Sequence, residues 1–198
     1  MKYKHLLLYF NGEIYNYNVD WGDGNTTMGA TANATHVYAI AGDHQITITG
    51  TFPRFRASGG NPTNTQKIIS IDQWGCNPWE TMDKAFQSCG NLVVNATDTP
   101  NFSNTTDVTQ MFLNCPSLGG GTGNWDWDMS TITTMLNMFG QTPNFNKDIS
   151  SWDTSNVIDM SFVFQFSGFN QNINTWNTSS VTTMVAMFNS ATNFNQPL

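Results

Sequence analysis

The hydrophobic positions in the C-terminal two-thirds of the chain recur with a period of about 25 residues. Each unit places a methionine eight residues, and a phenylalanine twelve residues, after a tryptophan. The recurring positions are Trp127, Trp152 and Trp176, then Met135, Met160 and Met184, then Phe139, Phe164 and Phe188. Phe112 and Phe86 extend the register backwards, at phenylalanine spacings of 26, 27, 25 and 24. A propeller blade needs roughly 40 residues, so the pattern predicts a solenoid of about five coils.

Within one coil the pattern predicts a short helix and then a strand. Val157, Met160 and Phe164 share one face at helical spacing, and Gly168 ends that segment. Residues 169–173 then alternate between apolar and polar side chains, as a half-buried strand does. One such coil cannot bury its apolar side alone. We therefore expect the tryptophan, methionine and phenylalanine columns to stack into a continuous core.

Polar residues also recur in register. The asparagines that follow the strand phenylalanine are Asn146, Asn170 and Asn195. We expect their amides to hydrogen-bond the backbone of the neighbouring turn, the alternative being a ligand-binding row. Asp128 and Asp153 also coincide, with Asn177 in the third unit. Stacked like charges are unfavourable unless each caps a segment or both share a cation, and capping is favoured.

Residues 1–52 predict a small β-sandwich instead of repeats. Tyr17 and Val19 alternate with polar residues before a Trp-Gly-Asp-Gly turn at residues 21–24, and residues 45–49 alternate again. The apolar run at residues 6–10 is too short for a signal peptide and indicates a strand, so no signal peptide is visible. Residues 53–66 are rich in turn-forming residues and predict a linker, which leaves residues 67–198 as the solenoid.

Two carboxylates, Asp20 and Asp23, flank the Trp-Gly-Asp-Gly turn. Calcium prefers clustered oxygen ligands, so this pair is the calcium candidate in the sequence. Aspartate is also a standard turn residue that accepts hydrogen bonds from its own backbone. Two carboxylates are fewer ligands than a calcium loop supplies. The structural interpretation is therefore favoured, and no cofactor is expected.

Cysteine and histidine usage bears on catalysis. Cys89 and Cys115 occupy equivalent sites in adjacent coils, where small buried thiols are favoured over a disulfide or a metal pair. The histidines (His5, His36 and His44) all precede the repeats, and no motif for nucleophilic, metal-dependent or phosphoryl-transfer catalysis occurs. We expect a protein that is not an enzyme.

The charge of the protein limits the classes of partner that it can bind. Only 11% of the residues are charged, and the net charge of −7 falls entirely on the repeats, because residues 1–66 carry four basic and four acidic side chains. An acidic surface argues against nucleic acid and anionic membranes as partners. No apolar run is long enough for membrane insertion.

The repeat, with residues 152–160 reading Trp-Asp-Thr-Ser-Asn-Val-Ile-Asp-Met and residues 194–198 reading Phe-Asn-Gln-Pro-Leu, resembles BspA-like leucine-rich-repeat surface proteins. Pro100 in place of a tryptophan and the Gly119–Gly121 insertion depart from the pattern. The Trp-Gly-Asp-Gly turn with His36 and Tyr38 resembles a PKD-type immunoglobulin-like domain. These resemblances imply a mainly β protein with short helices, in which a small PKD-like β-sandwich precedes a right-handed leucine-rich-repeat-type solenoid.

What the resemblance implies for function is adhesion. We expect an extracellular, cell-surface or virion-surface module that binds a protein or glycan on another cell or in the matrix. Its alternative is a carbohydrate-binding or virion host-attachment protein, because exposed tryptophans stack on sugars. The apolar side chains of the last coil predict either end-to-end self-association through residues 174–198 or fraying of that coil.

Overall fold

The computed structural model describes residues 5–8, 14–57 and 62–197, with side chains except at residues 5–8, 62 and 63. The elements are β1 (His5–Leu8), β2 (Asn16–Asp20), β3 (Thr26–Ala30), β4 (Ala34–Val37), β5 (Thr47–Thr51), α1 (Pro62–Thr65), β6 (Ser70–Ile71) and β7 (Val93–Val94). The protein is mainly β, and α1 is one short turn of helix in the part of the chain described. Most of the repeat region consists of turns and irregular backbone.

Two small antiparallel sheets form the N-terminal module. β1 pairs with β4, and β2 lies between β3 and β5. Tyr17 and Val19 of β2 share one buried cluster with Ala34 of β4 and with Trp21. Alternation along β2 produces this cluster, because its other side chains face away. β2 therefore forms where the alternating pattern predicts a strand, and β5 overlaps the second alternating run at residues 45–49.

The Trp-Gly-Asp-Gly turn anchors this module. The Trp21 N–H donates to the Asn25 carbonyl at 3.1 Å, and the buried Trp21 ring donates from Nε1 to Thr27 Oγ1 at 2.9 Å. Gly22 has φ +73°, and a Cβ there would overlap the Gln45 carbonyl oxygen. The close approach of the β5 side of the module therefore requires glycine at this position.

A ladder of backbone hydrogen bonds joins five coils in residues 82–190, numbered coil 1 to coil 5 by Phe86, Phe112, Phe139, Phe164 and Phe188. At each junction four alternate N–H groups donate to carbonyls of the next coil, with N–O distances of 2.7–3.2 Å. In coil 4 the donors are Met160, Phe162, Phe164 and Phe166, and the acceptors in coil 5 are Thr183, Val185, Met187 and Asn189. All these N–H groups point toward the C-terminal end.

The predicted short helix at residues 157–164 is wrong, and consecutive turns replace it. Phe162 and Phe166 have φ +59° and +54°, and the Gln165 and Ser167 N–H groups donate three residues back. The same pair of left-handed residues occurs in every coil, at Lys84 and Ser88, Gln110 and Asn114, Asn137 and Gln141, and Ala186 and Ser190. Alternate N–H groups bond the next coil and are unavailable for helical bonds. The inward positions nevertheless keep the helical spacing.

The predicted strand at residues 169–173 is also absent, since no strand is assigned there. The paired strands in the repeat region are β6 and β7, which are parallel. β6 lies at the start of the region, residues 67–198, that the sequence assigns to the solenoid. In the later coils, at the positions that follow the predicted strand phenylalanine, side chains instead of a backbone ladder connect one coil to the next.

Residues 53–57 lie against coil 1, although the sequence assigns them to a linker. The Pro53 carbonyl accepts from the Glu80 N–H at 2.9 Å, and the Ala57 N–H donates to the Ala85 carbonyl at 2.8 Å. Arg54 also forms an ion pair with Asp83 at 3.2 Å. This segment therefore bonds the Ala85 carbonyl and the Glu80 N–H on the N-terminal side of coil 1.

Candidate recognition surface

The tryptophan column is buried inside the solenoid. Trp127, Trp152 and Trp176 are at most 8% exposed, and their ring centroids are 5.6 and 6.3 Å apart in sequence order. Each indole N–H donates to a carbonyl of the protein, at 2.7–3.0 Å. Ring faces and polar edges are thus both engaged, so none of the three is free to stack on a sugar.

The phenylalanine column forms the centre of the core. Successive ring centroids from Phe86 to Phe188 are 5.5–5.9 Å apart. The fully buried members of the predicted core are Phe112, Phe139, Phe164, Met135 and Met160, with Phe86 nearly so. Met184 contradicts the prediction of burial because it is 41% exposed, and Phe188 is only partly buried. Both belong to coil 5, which has no neighbour on its C-terminal side within the described residues.

The asparagine column connects the coils through side chains. Asn146 Oδ1 accepts from the Asn170 N–H, and Asn170 Oδ1 accepts from the Asn195 N–H, both at 2.8 Å. These amides bridge coils where the backbone forms no ladder. The geometry is structural, since the Oδ1 atoms of Asn146 and Asn170 are already bonded within the protein.

Removing one amide of this column tests that role. We expect Asn170→Ala to lower the free energy of unfolding by about 0.5–1.5 kcal/mol, because the Asn195 N–H loses its acceptor. Asn170→Asp keeps an acceptor oxygen at the same place and is the control. Urea denaturation measures both, and an equal loss for the two variants would argue against the amide bridge.

The stacked aspartates cap turns. Asp128 Oδ1 and Asp153 Oδ1 accept from the Ser130 and Ser155 N–H groups at 3.0 Å, and Asn177 does the same for Ser179. Hydrogen bonds from the Ser155 hydroxyl and then its N–H lower the pKa of Asp153. The equivalent bonds from Ser130 lower the pKa of Asp128.

These caps predict loss of stability in acid. A lowered pKa in the folded state stabilises the protein above the unfolded aspartate value of about 3.9, and this contribution is lost as the pH falls below it. The urea midpoint is therefore expected to fall between pH 6 and pH 3. Asp153→Asn, which copies Asn177, removes one titrating group and keeps the cap. A fall equal to that of the unmodified protein would contradict this assignment.

The calcium candidates bond within their own module. Asp20 Oδ1 accepts from the Gly22 N–H at 2.9 Å, and Asp23 Oδ1 accepts from the Asn25 N–H at 3.1 Å. Asp23 Oδ2 lies 2.7 Å from His36 Nε2, and this contact is the main cause that lowers the pKa of Asp23 to about 2. Among the described residues, no three His, Cys, Asp or Glu side chains come together as a metal-binding group. Asp20 and Asp23 therefore act here as turn residues.

Cys89 and Cys115, at equivalent positions of adjacent coils, are free thiols and are fully buried. Cys115 Sγ donates to the Phe86 carbonyl at 3.0 Å, and burial raises the pKa of Cys115 to about 12. Burial also raises the pKa of Cys89 well above its usual range. Both thiols fill the space between coils 1 and 2 and are kept protonated.

The outer face of coil 4 carries a feature that periodicity alone does not reveal. Ile158 and Phe166 are 47% and 51% exposed, and Phe162 is partly exposed. We call these three residues the coil 4 apolar patch. The sequence did contain a signal, because the equivalent positions of the other coils are mostly polar: Glu80, Thr106, Thr133 and Thr182, then Lys84, Gln110, Asn137 and Ala186, then Ser88, Asn114, Gln141 and Ser190.

The architecture places the protein in the class of mainly β proteins made of stacked coils, here with a small N-terminal module. Residues 63–126 and 122–198 match the family model described as "Mycoplasma protein of unknown function, DUF285". The match spans more than half of the chain, and the chain therefore belongs to the DUF285 family. No curated protein and no solved structure matches the chain. No helix among the described residues has the length and apolarity to cross a membrane.

Proposed function

We propose that this protein is a surface-displayed, non-enzymatic module that binds other proteins through the outside of its solenoid. The finer assignment, to BspA-like leucine-rich-repeat proteins with a PKD-like N-terminal module, belongs to the same proposal. Membership of the DUF285 family supports the surface-protein part of the proposal. Display on a cell or virion surface is part of the proposal too.

One observation favours protein over glycan as the ligand: the tryptophan column is buried. Its rings stack on each other and its indole N–H groups donate to carbonyls of the solenoid. A carbohydrate site built on these three rings would need to disrupt the core. Recognition is thereby left to the outer face, where stacked coils present an extended, rigid surface of the kind that repeat proteins use for binding.

The experiment compares ligand classes on the full chain. Biolayer interferometry measures binding to fibronectin, laminin and collagen, and a glycan array presents neutral and acidic oligosaccharides. We expect saturable binding to at least one protein and none to the glycans. Heat-denatured protein is the control for binding by exposed apolar surface. Binding confined to glycans would favour the carbohydrate-binding alternative, and binding to neither class would contradict the proposal.

Self-association through residues 174–198 is a second part of the proposal. The N–H groups of Met184, Ala186, Phe188 and Ser190 have no acceptor among the described residues, and Met184 is 41% exposed. When two copies of the protein meet through coil 5, both backbones offer N–H donors and neither offers acceptors. A symmetric dimer therefore cannot continue the backbone hydrogen-bond ladder and must associate through side chains. Sedimentation velocity across a concentration series tests this, and a concentration-independent monomer would rule it out.

A further inference from the structure

The two aromatic residues of the coil 4 apolar patch occupy backbone positions that disfavour them. Phe162 and Phe166 have φ +59° and +54°, a region that bulky side chains rarely adopt. Neighbouring coils fill these positions with Asn137 and Asn114, among other polar residues, and asparagine tolerates the left-handed conformation well. Coil 4 therefore carries aromatic rings where its own backbone favours a polar residue.

Packing of the core does not account for these rings. The inward positions of the same coil are filled by Met160, Val163 and Phe164, all fully buried. Phe166, by contrast, is 51% exposed and lies outside the buried cluster. Strained residues cluster at functional sites, and exposed apolar surface marks contacts with other molecules.

The charge around the patch selects the chemistry of that molecule. Residues 148–198 contain Asp148, Asp153 and Asp159 and no lysine, arginine or histidine. Asp159 is next to Ile158 in sequence, and its Oδ1 accepts from the Ser161 N–H at 2.8 Å, which places a carboxylate beside the patch. This field repels anions, including acidic lipid headgroups, and attracts cations.

Arginine and lysine side chains fit both the exposed aromatic surface and the negative charge around it. Their aliphatic stems cover apolar surface, while their charged ends interact with aromatic ring faces and with carboxylates. We propose that the coil 4 apolar patch binds a basic segment of a partner protein, whose arginine or lysine side chains pack over Phe162 and Phe166. This inference rests on the proposed protein-binding function and assigns it a location and a partner chemistry.

The test uses three synthetic peptides of about twelve residues, and isothermal titration calorimetry with the full chain. One peptide alternates arginine with leucine, the second glutamate with leucine, and the third arginine with serine. The arginine–leucine peptide is expected to bind tightest, and the glutamate–leucine peptide weakest.

The decisive variant is F162N/F166N, which installs the residue that neighbouring coils use. We expect it to weaken binding of the arginine–leucine peptide about tenfold, from the loss of two cation–π contacts. Its melting temperature should equal or exceed that of the unmodified protein, since asparagine relieves the left-handed strain. Lost binding cannot then be attributed to unfolding. Gln141→Asn, at the Phe166 position of coil 3, is the matched control and should leave binding unchanged.

The outcomes separate this inference from the broader proposal. Equal affinity of the unmodified protein and F162N/F166N for the arginine–leucine peptide would overturn the inference, as would no binding by either. If F162N/F166N still binds the same matrix protein as the unmodified chain, protein binding stands and the patch is not its site. A preference for the glutamate–leucine peptide would contradict the charge argument.

Discussion

Phe164→Ala is expected to lower the free energy of unfolding by about 3–5 kcal/mol. The Phe164 ring is fully buried and stacks between Phe139 at 5.9 Å and Phe188 at 5.5 Å. It also faces Phe169 at 4.0 Å. Truncation leaves a cavity that the rigid coils on either side cannot close.

Urea denaturation followed by far-ultraviolet circular dichroism measures this loss. Phe166→Ala is the control, because it removes the same ring from an exposed site in the same coil. Its effect should stay below about 1 kcal/mol, as for other surface substitutions. A loss below about 1 kcal/mol for Phe164→Ala would mean that the repeat register is wrong.

Gly119→Ala is expected to cost about 2–5 kcal/mol, from backbone strain and steric overlap together. Gly119 has φ +114°, and a Cβ there would overlap the carbonyl oxygen of Asn144. The backbone fixes the position of the Cβ, and the oxygen is itself a backbone atom, so no side-chain rotation can relieve the contact. The substitution should therefore force the inserted loop away from coil 3.

Gly75→Ala separates the two contributions. Gly75 also has a positive φ, +71°, but nothing lies within 4 Å of an added Cβ. We expect this variant to lose only about 1–2 kcal/mol, the cost of the left-handed conformation. Thermal and urea denaturation of both variants measure the difference. Equal losses would show that the Gly119 loop moves freely.

The sequence predicted the repeat register well because large buried side chains carry it. Phe139 and Phe164 recur at positions where the core accepts no polar residue, so their spacing reports the coil directly. The backbone between them was not predictable in the same way. Inward positions at i, i+3 and i+7 fit a helix, but consecutive turns with alternating hand present the same positions. Only the hydrogen bonds between coils distinguish these two backbones.

Hydrophobic periodicity also did not predict the candidate recognition surface. A phenylalanine within a hydrophobic repeat is normally assigned to the core, and Phe162 and Phe166 are close in sequence to the buried Phe164. Their outward direction follows from the left-handed turns, which hydrophobic periodicity does not encode. The contact between the predicted linker and coil 1 was missed for a related reason. The turn-forming residues around Pro53 do not indicate that its carbonyl bonds coil 1.

The direction of the ladder has a mechanical consequence. Its hydrogen bonds run along the solenoid axis, so tension applied along that axis loads each junction in series instead of sharing force across all of them. One junction, including its four ladder hydrogen bonds, then yields at a time. Each event releases one coil of about 25 residues, or roughly 80–90 Å of extended chain. A protein held at both ends would lengthen in steps and dissipate force gradually while the remaining coils stay folded.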